Sequence, residues 1–251
     1  MLLEAAHICK RFGARPPVLT DVTFGLEAGE FVSVIGPSGA GKTTLFRILN
    51  GTLPCDSGEV RIDALPLSRA HGRKKRAVQK RIGTIYQDFA LVEPVTCRQN
   101  VLNACLPDMS LQASLLGLFS RAQTAQAERL LARVGLADKC GEPVCSLSGG
   151  QKQLLALASV MVMQPEVLLL DEPTKGLDAA FQDQLAEILN RLLARGVAIV
   201  MVSHDVAFCA DHAHRCALFF QGSIAAEGSP RDFFSGNRFY TTAASRMARD
   251  I

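Results

Sequence analysis

A glycine-rich octapeptide, Gly36-Pro37-Ser38-Gly39-Ala40-Gly41-Lys42-Thr43, constrains the fold of this chain more than any other feature. It fits the pattern G-x-x-x-x-G-K-[ST], a phosphate loop whose backbone N–H groups surround phosphate oxygens. The apolar, β-branched segment 30–35 precedes the loop and predicts a buried strand, and the segment 43–49 has the apolar spacing of a helix. Strand, glycine loop and helix are the context that this motif requires. The sequence therefore predicts a nucleoside-triphosphate site in an α/β fold.

The side chains of the phosphate loop have expected partners on a nucleotide. Lys42 is placed to reach the β- and γ-phosphates, and the Thr43 hydroxyl can bind Mg²⁺. The positive end of the following helix dipole favours the same anion. The candidate phosphate-binding residues are Gly36, Ser38, Gly39, Gly41, Lys42, Thr43 and Thr44.

A second motif stands about half the chain length away. Leu147-Ser148-Gly149-Gly150-Gln151 precedes the apolar run 167–170, which ends in Asp171-Glu172. The run predicts a second buried strand, and an acid at its end is suited to hold Mg²⁺ through water. Together with the phosphate loop, these motifs resemble the ATP-binding cassette family, and the resemblance covers nearly the whole chain. It implies that the nucleotide is ATP and that the chain is an ATPase.

The resemblance implies roles for residues that follow the predicted strands. Glu172 would be the catalytic carboxylate that polarises the attacking water, and Asp171 would hold Mg²⁺. Gln87 follows the strand-like segment 82–86 and would contact the metal and the water. His204 ends another apolar run and would lie near the γ-phosphate. The expected catalytic residues are Glu172, His204 and Gln87, and the expected Mg²⁺ ligands are Thr43, Gln87 and Asp171.

The remaining expected nucleotide contacts come from the start of the chain and from a second chain. Phe12 matches the aromatic residue that stacks on adenine, and Val18 can add apolar contact. Asp178 lies in a segment that resembles the D-loop of the family. A helix predicted over 152–163 follows the signature residues Ser148, Gly149, Gly150 and Gln151, and its N-terminus forms an anion site. In the family this site faces the ATP of the partner, so we expect a homo- or heterodimer docked on transmembrane permease subunits.

The expected architecture is a P-loop NTPase core with an N-terminal antiparallel β-subdomain and an inserted α-helical lobe. The segment 3–26 predicts antiparallel strands, and the periodic segment 126–134 predicts a helix. A strand over 216–220 and a short helical tail are expected to close the chain. We expect one nucleotide-binding domain over 1–251, with the core and β-subdomain formed by 1–87 and 163–251 and the helical lobe by 88–162.

Composition limits the location and the partners. Hydrophobic residues make up 48% of the 251, and the mean hydropathy is +0.17, yet no apolar run reaches the roughly 18 residues that span a bilayer. The start of the chain lacks the features of a signal peptide. We therefore expect a peripheral protein on the cytoplasmic face of the cell membrane. A net charge of +3 is too small to predict nucleic-acid binding, and eight Cys without C-x-x-C predict reduced packing residues.

A basic run extends from Arg69 to Arg81 and contains seven Lys and Arg residues. Aromatic residues that could stack on bases are not interleaved with it. The run predicts either a solvated helix face or a contact with anionic lipid headgroups.

Two resemblances within the family compete over the cargo. Segments between residues 33 and 150, among them 115–119 and 133–139, look like phosphonate-type importer ATPases. Segments between residues 164 and 249, among them 173–178 and 240–244, look like energy-coupling-factor ATPases for vitamins or transition metals. Both imply import. We expect a phosphonate- or phosphate-like anion as cargo, with vitamin or transition-metal uptake as the alternative.

A non-transport ATPase of the same family is the other alternative, of the chromosome-maintenance or translation-factor kind. The former carry long coiled coils between the two halves of the cassette, whereas only about 130 residues separate Lys42 from Asp171 here. The latter usually carry two cassettes in one chain. A GTPase is disfavoured because the sequence has no Asn-Lys-x-Asp motif.

Overall fold

Two β-sheets and the helices around them form the part of the chain that this computed structural model describes, residues 1–67 and 70–234. The strands are β1 Leu3–Lys10, β2 Leu19–Leu26, β3 Phe31–Ile35, β4 Ser57–Ile62, β5 Leu65–Pro66, β6 Ile82–Ile85, β7 Val167–Asp171, β8 Ala198–Val202, β9 Arg215–Phe220 and β10 Ser223–Gly228. The α-helices are α1 Lys42–Leu49, α2 Gly72–Gln79, α3 Cys97–Asn103, α4 Leu111–Leu115, α5 Arg121–Arg133, α6 Gly149–Met161, α7 Ala179–Leu193, α8 Val206–His212 and α9 Pro230–Phe234. The predicted α/β class is confirmed.

The smaller sheet has the strand order β2-β1-β4-β5 and is antiparallel throughout. Leu3, Ala5 and Ile8 of β1 are buried, and their neighbours are more exposed, as in a sheet with one face on a core. The predicted antiparallel strands over 3–26 are confirmed. Strands β4 and β5 were not predicted, because β4 mixes polar and apolar residues and β5 has only two residues.

The larger sheet has the order β10-β9-β3-β8-β7-β6, and only its β10–β9 pair is antiparallel. Every residue of β3 and β8 is buried, which explains why all of them except Ser33 are apolar. Ile85 pairs with Leu170, and Asp171 pairs with Val202. The carboxyl ends of the parallel strands therefore meet at one edge of the sheet. Ligands of open α/β sheets bind at this edge.

Helices α3, α5 and α6 pack against one another and contribute to a shared apolar cluster that includes Val101, Ala127, Leu131 and Leu157. Leu154 belongs to this cluster and is 2% exposed. The predicted helices are present with other bounds. Helix α5 begins at Arg121 because Ser120 and Gln123 form a capping box, and α6 begins at Gly149, three residues before the predicted start. The division into lobes stays a prediction.

The last described segments extend the larger sheet. The predicted strand over 216–220 is confirmed as β9, but β10 was not predicted. Helix α9 follows, and the segment 240–244 lies outside the described residues, as does Arg69. Helix α2 carries most of the basic run and buries only Val78. In the described chain, no helix combines the length and the apolar character needed to cross a membrane.

Candidate functional site

The phosphate loop connects β3 to α1 in a conformation that needs its glycines. Gly39 and Gly41 have φ angles of 81° and 103°, which other residues rarely adopt. A Cβ atom at Gly36 would lie 2.1 Å from the carbonyl oxygen of Phe219. The loop therefore depends both on backbone freedom and on the close approach of β9.

Lys42 is the first residue of α1 and is 7% exposed. Its Nζ donates hydrogen bonds to the carbonyl oxygens of Gly36 and Pro37 at 2.6 and 2.8 Å. Burial lowers the pKa of Lys42, and the nearby carboxylates of Glu172 and Asp171 oppose this shift. The loop thus holds a buried ammonium group within electrostatic range of both acids. This arrangement can bind a phosphate through charge and directed donors.

Asp171 ends β7 and Glu172 follows it, so two carboxylates lie side by side at the edge of the sheet. Burial raises the pKa of Asp171, the charge of Glu172 raises it further, and Lys42 opposes the shift. Glu172 has a φ of 54°, and its backbone N–H donates to Val202 at 2.9 Å. Such strained backbone persists where neighbouring contacts fix it, and it is common at functional sites.

His204 contacts Glu172 twice. Its Nε2 lies 3.3 Å from Oε1 of Glu172, and its backbone N–H donates to Oε2 at 3.3 Å. The Glu172 side chain is 12% exposed and that of His204 is 56% exposed. Asp205 caps α8 and also donates its backbone N–H to Ser203 Oγ at 2.9 Å, which fixes the segment that carries His204. The pair can hold a carboxylate in place as a base or a water-orienting group.

Gln87 is exposed and follows β6, at the sheet edge where β7 places Asp171. Its turn contains two residues with left-handed backbone, Phe89 at φ 60° and Ala90 at φ 50°. Thr43 is exposed at the N-terminal end of α1. The structure brings four predicted site residues within interaction range of one another: Lys42, Asp171, Glu172 and His204. Gln87 and Thr43 lie at the border of this group.

The oxygen atoms at this border fit a hard divalent cation. Thr43 offers a hydroxyl, Asp171 a carboxylate and Gln87 an amide oxygen, which are the donor types that Mg²⁺ prefers. In residues 1–67 and 70–234, no group of three or more His, Cys, Asp or Glu side chains could hold a metal by itself. Mg²⁺ is usually bound through one or two carboxylates together with substrate phosphates, and this donor set fits that mode.

The signature residues form the N-terminus of α6. Ser148 Oγ accepts from the Gln151 N–H at 3.3 Å, and Gln151 Oε1 accepts from the Ser148 N–H at 3.0 Å. Ser148 and Gly149 are exposed, whereas Gly150 packs so closely on Phe181 that a Cβ would lie 2.6 Å from its ring. Over the described ranges, no hydrogen bond joins residues 148–151 to the phosphate loop. The signature thus presents an exposed helix N-terminus that the described part of the chain leaves open.

Asp178 has a capping contact in this chain. Its Oδ1 accepts from the Phe181 N–H at 3.0 Å and caps α7. The carboxylate is exposed, so an additional contact with nucleotide stays a prediction.

Phe12 lies in the loop between β1 and β2 and is 42% exposed. The Lys10 ammonium lies 5.5 Å from the centre of its ring and forms an ion pair with Asp56 at 2.7 Å. Val18 is half-buried in the same loop, and a Cβ at Gly41 would lie 2.8 Å from its carbonyl oxygen. The loop therefore borders the phosphate loop and offers an accessible aromatic face, as stacking on adenine requires.

Sequence reasoning did not single out Asn50, the buried C-cap of α1. Its side chain donates to Tyr86, the residue before Gln87. These two residues are 36 positions apart in the chain. A polar residue at the end of an apolar helix is normally interpreted as a helix cap, so no local sequence pattern predicts this contact.

Comparisons with known proteins match both the sequence and the fold. A family model described as "ABC transporter" matches residues 19–175, and one described as "AAA domain, putative AbiEii toxin, Type IV TA system" matches residues 141–210. The Phosphonates import ATP-binding protein PhnC 1 of Rhodopseudomonas palustris is 36% identical over 228 residues, which are 90% of this chain and 81% of the relative. The Cobalt import ATP-binding protein CbiO of Rhodobacter capsulatus is 37% identical over 229 residues, 91% of this chain and 79% of the relative.

A solved structure agrees with the sequence matches. It is the dimeric post-hydrolysis state of the ATP-binding cassette MJ0796 bound to ADP and Pi. It superposes with a TM-score of 0.80 at 26% identity and covers 92% of this chain and 99% of that chain.

Proposed function

Because the chain belongs to the ABC transporter family and is its ATPase, we propose that two such chains share two ATP molecules and power a membrane importer. One observation supports the proposal that the site is shared between two chains. Lys42, Asp171, Glu172 and His204 interact within one chain, whereas no acidic side chain of residues 1–67 and 70–234 accepts a hydrogen bond from the exposed helix N-terminus at Ser148. A second chain, placed head to tail, would bring each half to the other.

Each group in the site has a task in ATP hydrolysis. Lys42 and the phosphate-loop N–H groups bind the phosphates, while Thr43, Asp171 and Gln87 would hold Mg²⁺, which would neutralise charge on the phosphates. Glu172, held by its two contacts with His204, orients and deprotonates the attacking water. The Ser148 helix N-terminus of the partner supplies donors to the γ-phosphate as negative charge develops there.

Complementation between two inactive chains tests the shared site. Gly149→Asp places a carboxylate at the signature, and Lys42→Ala removes the ammonium from the phosphate loop. Mixed dimers then contain one site with both defects and one site with neither. We expect ATPase activity to return on mixing, whereas each variant alone stays inactive. If mixed dimers form and remain inactive, the proposal of two shared sites that work independently of each other is contradicted.

We also propose that membrane permease subunits dock in a groove of about 1220 Å³ beside the Gln87 turn. Apolar residues form much of its lining, including Ile82, Phe89, Leu91, Ala156 and Val160, and Arg73, Arg76 and Lys80 of the basic run border it. Helix α4 and the residues after it expose Leu111, Leu115, Leu116 and Leu118. Surfaces this apolar are typical of proteins that are covered in an assembly. The chain would then lie on the cytoplasmic face of the membrane as a peripheral subunit.

A copurification experiment tests the docking. An affinity-tagged chain, purified from detergent-solubilised membranes, should carry integral membrane proteins with it. Val92→Glu, which places a charge at a groove residue that is 47% exposed, should lose them and keep ATP binding. Recovery of ribosomes or DNA in place of membrane proteins would favour a non-transport ATPase of the same family.

For the cargo we propose a phosphonate- or phosphate-like anion, with vitamin or transition-metal uptake as the alternative. Support comes from relatives named for phosphonate import and for cobalt import, which match similar shares of the chain. Growth of a deletion strain on a phosphonate as the only phosphorus source distinguishes the two. Lost growth that the intact gene restores supports the anion. Normal growth with impaired cobalt uptake supports the alternative.

A further inference from the structure

A partly buried hydrogen bond joins the end of the phosphate-loop helix to the residue before Gln87. Asn50 follows α1 as its C-cap and is 6% exposed. Its Nδ2 donates to the Tyr86 hydroxyl at 2.8 Å and to Thr84 Oγ1 at 3.3 Å. The contact therefore connects α1 to β6 across the core.

The orientation of the Asn50 amide is fixed by a partner that can only donate. Its Oδ1 accepts from the backbone N–H of Thr52 at 3.0 Å and from the Thr52 hydroxyl at 2.7 Å. Because a backbone N–H offers no acceptor, the amide oxygen faces Thr52 and the nitrogen faces Tyr86. The Tyr86 hydroxyl is therefore the acceptor, and the amide has partners on both sides.

Tyr86 also closes the turn that contains Gln87. Its carbonyl oxygen accepts from the Phe89 N–H at 2.9 Å. Phe89 and Ala90, which end this turn, both have left-handed backbone. Two such residues in succession are unfavourable and persist only where surrounding contacts determine the conformation. Tyr86 supplies such a contact through its backbone, and Asn50 fixes Tyr86 through its side chain.

We propose that Asn50 and Tyr86 are positioning residues that hold the Gln87 turn at a set distance from the phosphate loop. Helix α1 has eight residues and is about 12 Å long, with Lys42 at its start and Asn50 directly after its end. A helix of this length transmits displacement as a rigid body. The chain of contacts therefore runs from the phosphate loop through α1, Asn50 and Tyr86 to the Gln87 turn. The proposal rests on the role proposed above for Gln87.

The same junction touches the groove proposed for the permease. Gln79 of α2 donates from Nε2 to the Asn50 carbonyl oxygen at 3.1 Å. Gln79, Thr84 and Phe89 all line that groove. A displacement of α2 or β6 by an occupant of the groove would thus reach Asn50 directly.

Removal of one hydroxyl tests the positioning role. Tyr86→Phe keeps the ring and removes the hydroxyl. We expect kcat to fall about 2- to 12-fold, which corresponds to the net free energy of one hydrogen bond, with KM for ATP unchanged. Tyr240→Phe makes the same chemical change at the other of the two tyrosines and is the matched control, with kcat and KM unchanged. Gln87→Ala should lower kcat at least as much as Tyr86→Phe.

A spectroscopic readout separates positioning from general stability. When 3-fluorotyrosine is incorporated into the Tyr240→Phe chain, Tyr86 gives its only ¹⁹F resonance. We expect this resonance to shift when a non-hydrolysable ATP analogue binds with Mg²⁺. A resonance that nucleotide leaves unmoved would overturn the proposal.

The kinetic outcomes distinguish this proposal from the proposed function. An impaired Gln87→Ala beside a fully active Tyr86→Phe would refute the positioning role and leave the role of Gln87 standing. Full activity of both would refute the role of Gln87 and the positioning role with it. A raised KM without a lower kcat in Tyr86→Phe would also count against positioning, because it would indicate lost nucleotide binding.

Discussion

Replacement of Glu172 by Gln separates the charge of this side chain from its shape. Gln retains an oxygen that can accept the His204 N–H, which lies 3.3 Å away, and the strained backbone at φ 54° is unchanged. The phosphate loop and Lys42 are intact, so ATP should still bind. What disappears is the base or water-orienting group, whose loss typically lowers the rate about 10²- to 10⁴-fold. This corresponds to about 2.7–5.5 kcal/mol of transition-state stabilisation.

The assay is phosphate release at saturating ATP and Mg²⁺, together with ATP binding by titration calorimetry. Glu187→Gln makes the same change on the exposed face of α7 and should behave as the unmodified chain. Glu172→Gln should also accumulate as an ATP-bound dimer in size-exclusion chromatography. Turnover within about twofold of the unmodified chain would remove Glu172 from catalysis, because a positioned acid or base contributes far more than this.

Three further substitutions test the binding residues and the fold around them. Lys42→Ala should weaken ATP binding about 10- to 150-fold by calorimetry, because it removes charge-assisted hydrogen bonds to the phosphates; unchanged affinity would place the nucleotide elsewhere. Because the pKa of Asp171 is raised in the folded state, the free energy of unfolding falls as the pH rises from the ordinary value of 3.8 through the folded-state pKa. Asp171→Asn removes this carboxylate and should raise Tm at pH 7, while turnover is lost. A lower Tm would contradict this sign. Gly150→Ala should lower the free energy of unfolding, measured with denaturant, by about 1–3 kcal/mol because the added Cβ overlaps Phe181. Gly149→Ala is the matched control because its Cβ meets no atom within 4 Å. Equal stability of the two variants would refute the packing argument.

Sequence patterns predicted most of the larger sheet because its strands are buried on both faces. The runs at β3, β7 and β8 are apolar except for Ser33 and the terminal Asp171, and each leads directly into residues of the site, so one segment predicts both the strand and its functional residues. The signature helix was predicted to begin too late because glycines are poor helix formers. The Ser148 capping box outweighs this preference and starts the helix at Gly149.

Contacts between distant segments could not be predicted from local patterns. Strands β4 and β10 contain Gly, Ser and Glu and are stabilised by pairing with β1 and β9. Leu154 shows the same limit in the helical part of the chain. The fold places it among apolar side chains of α3, α5 and α6, a surrounding that no local pattern around residue 154 predicts. Tertiary packing decides each of these positions.

The central claim is that the phosphate loop of one chain and the signature of its partner bind one ATP between them. One chain carries Ser38→Cys, the other carries Ser148→Cys, and both carry Glu172→Gln to retain ATP and Cys145→Ser to remove the exposed native thiol. We expect a crosslinked product of two chains that forms with ATP and is much reduced without it. Dimers that form with ATP but do not crosslink, or crosslinking that is equal without nucleotide, would contradict the claim.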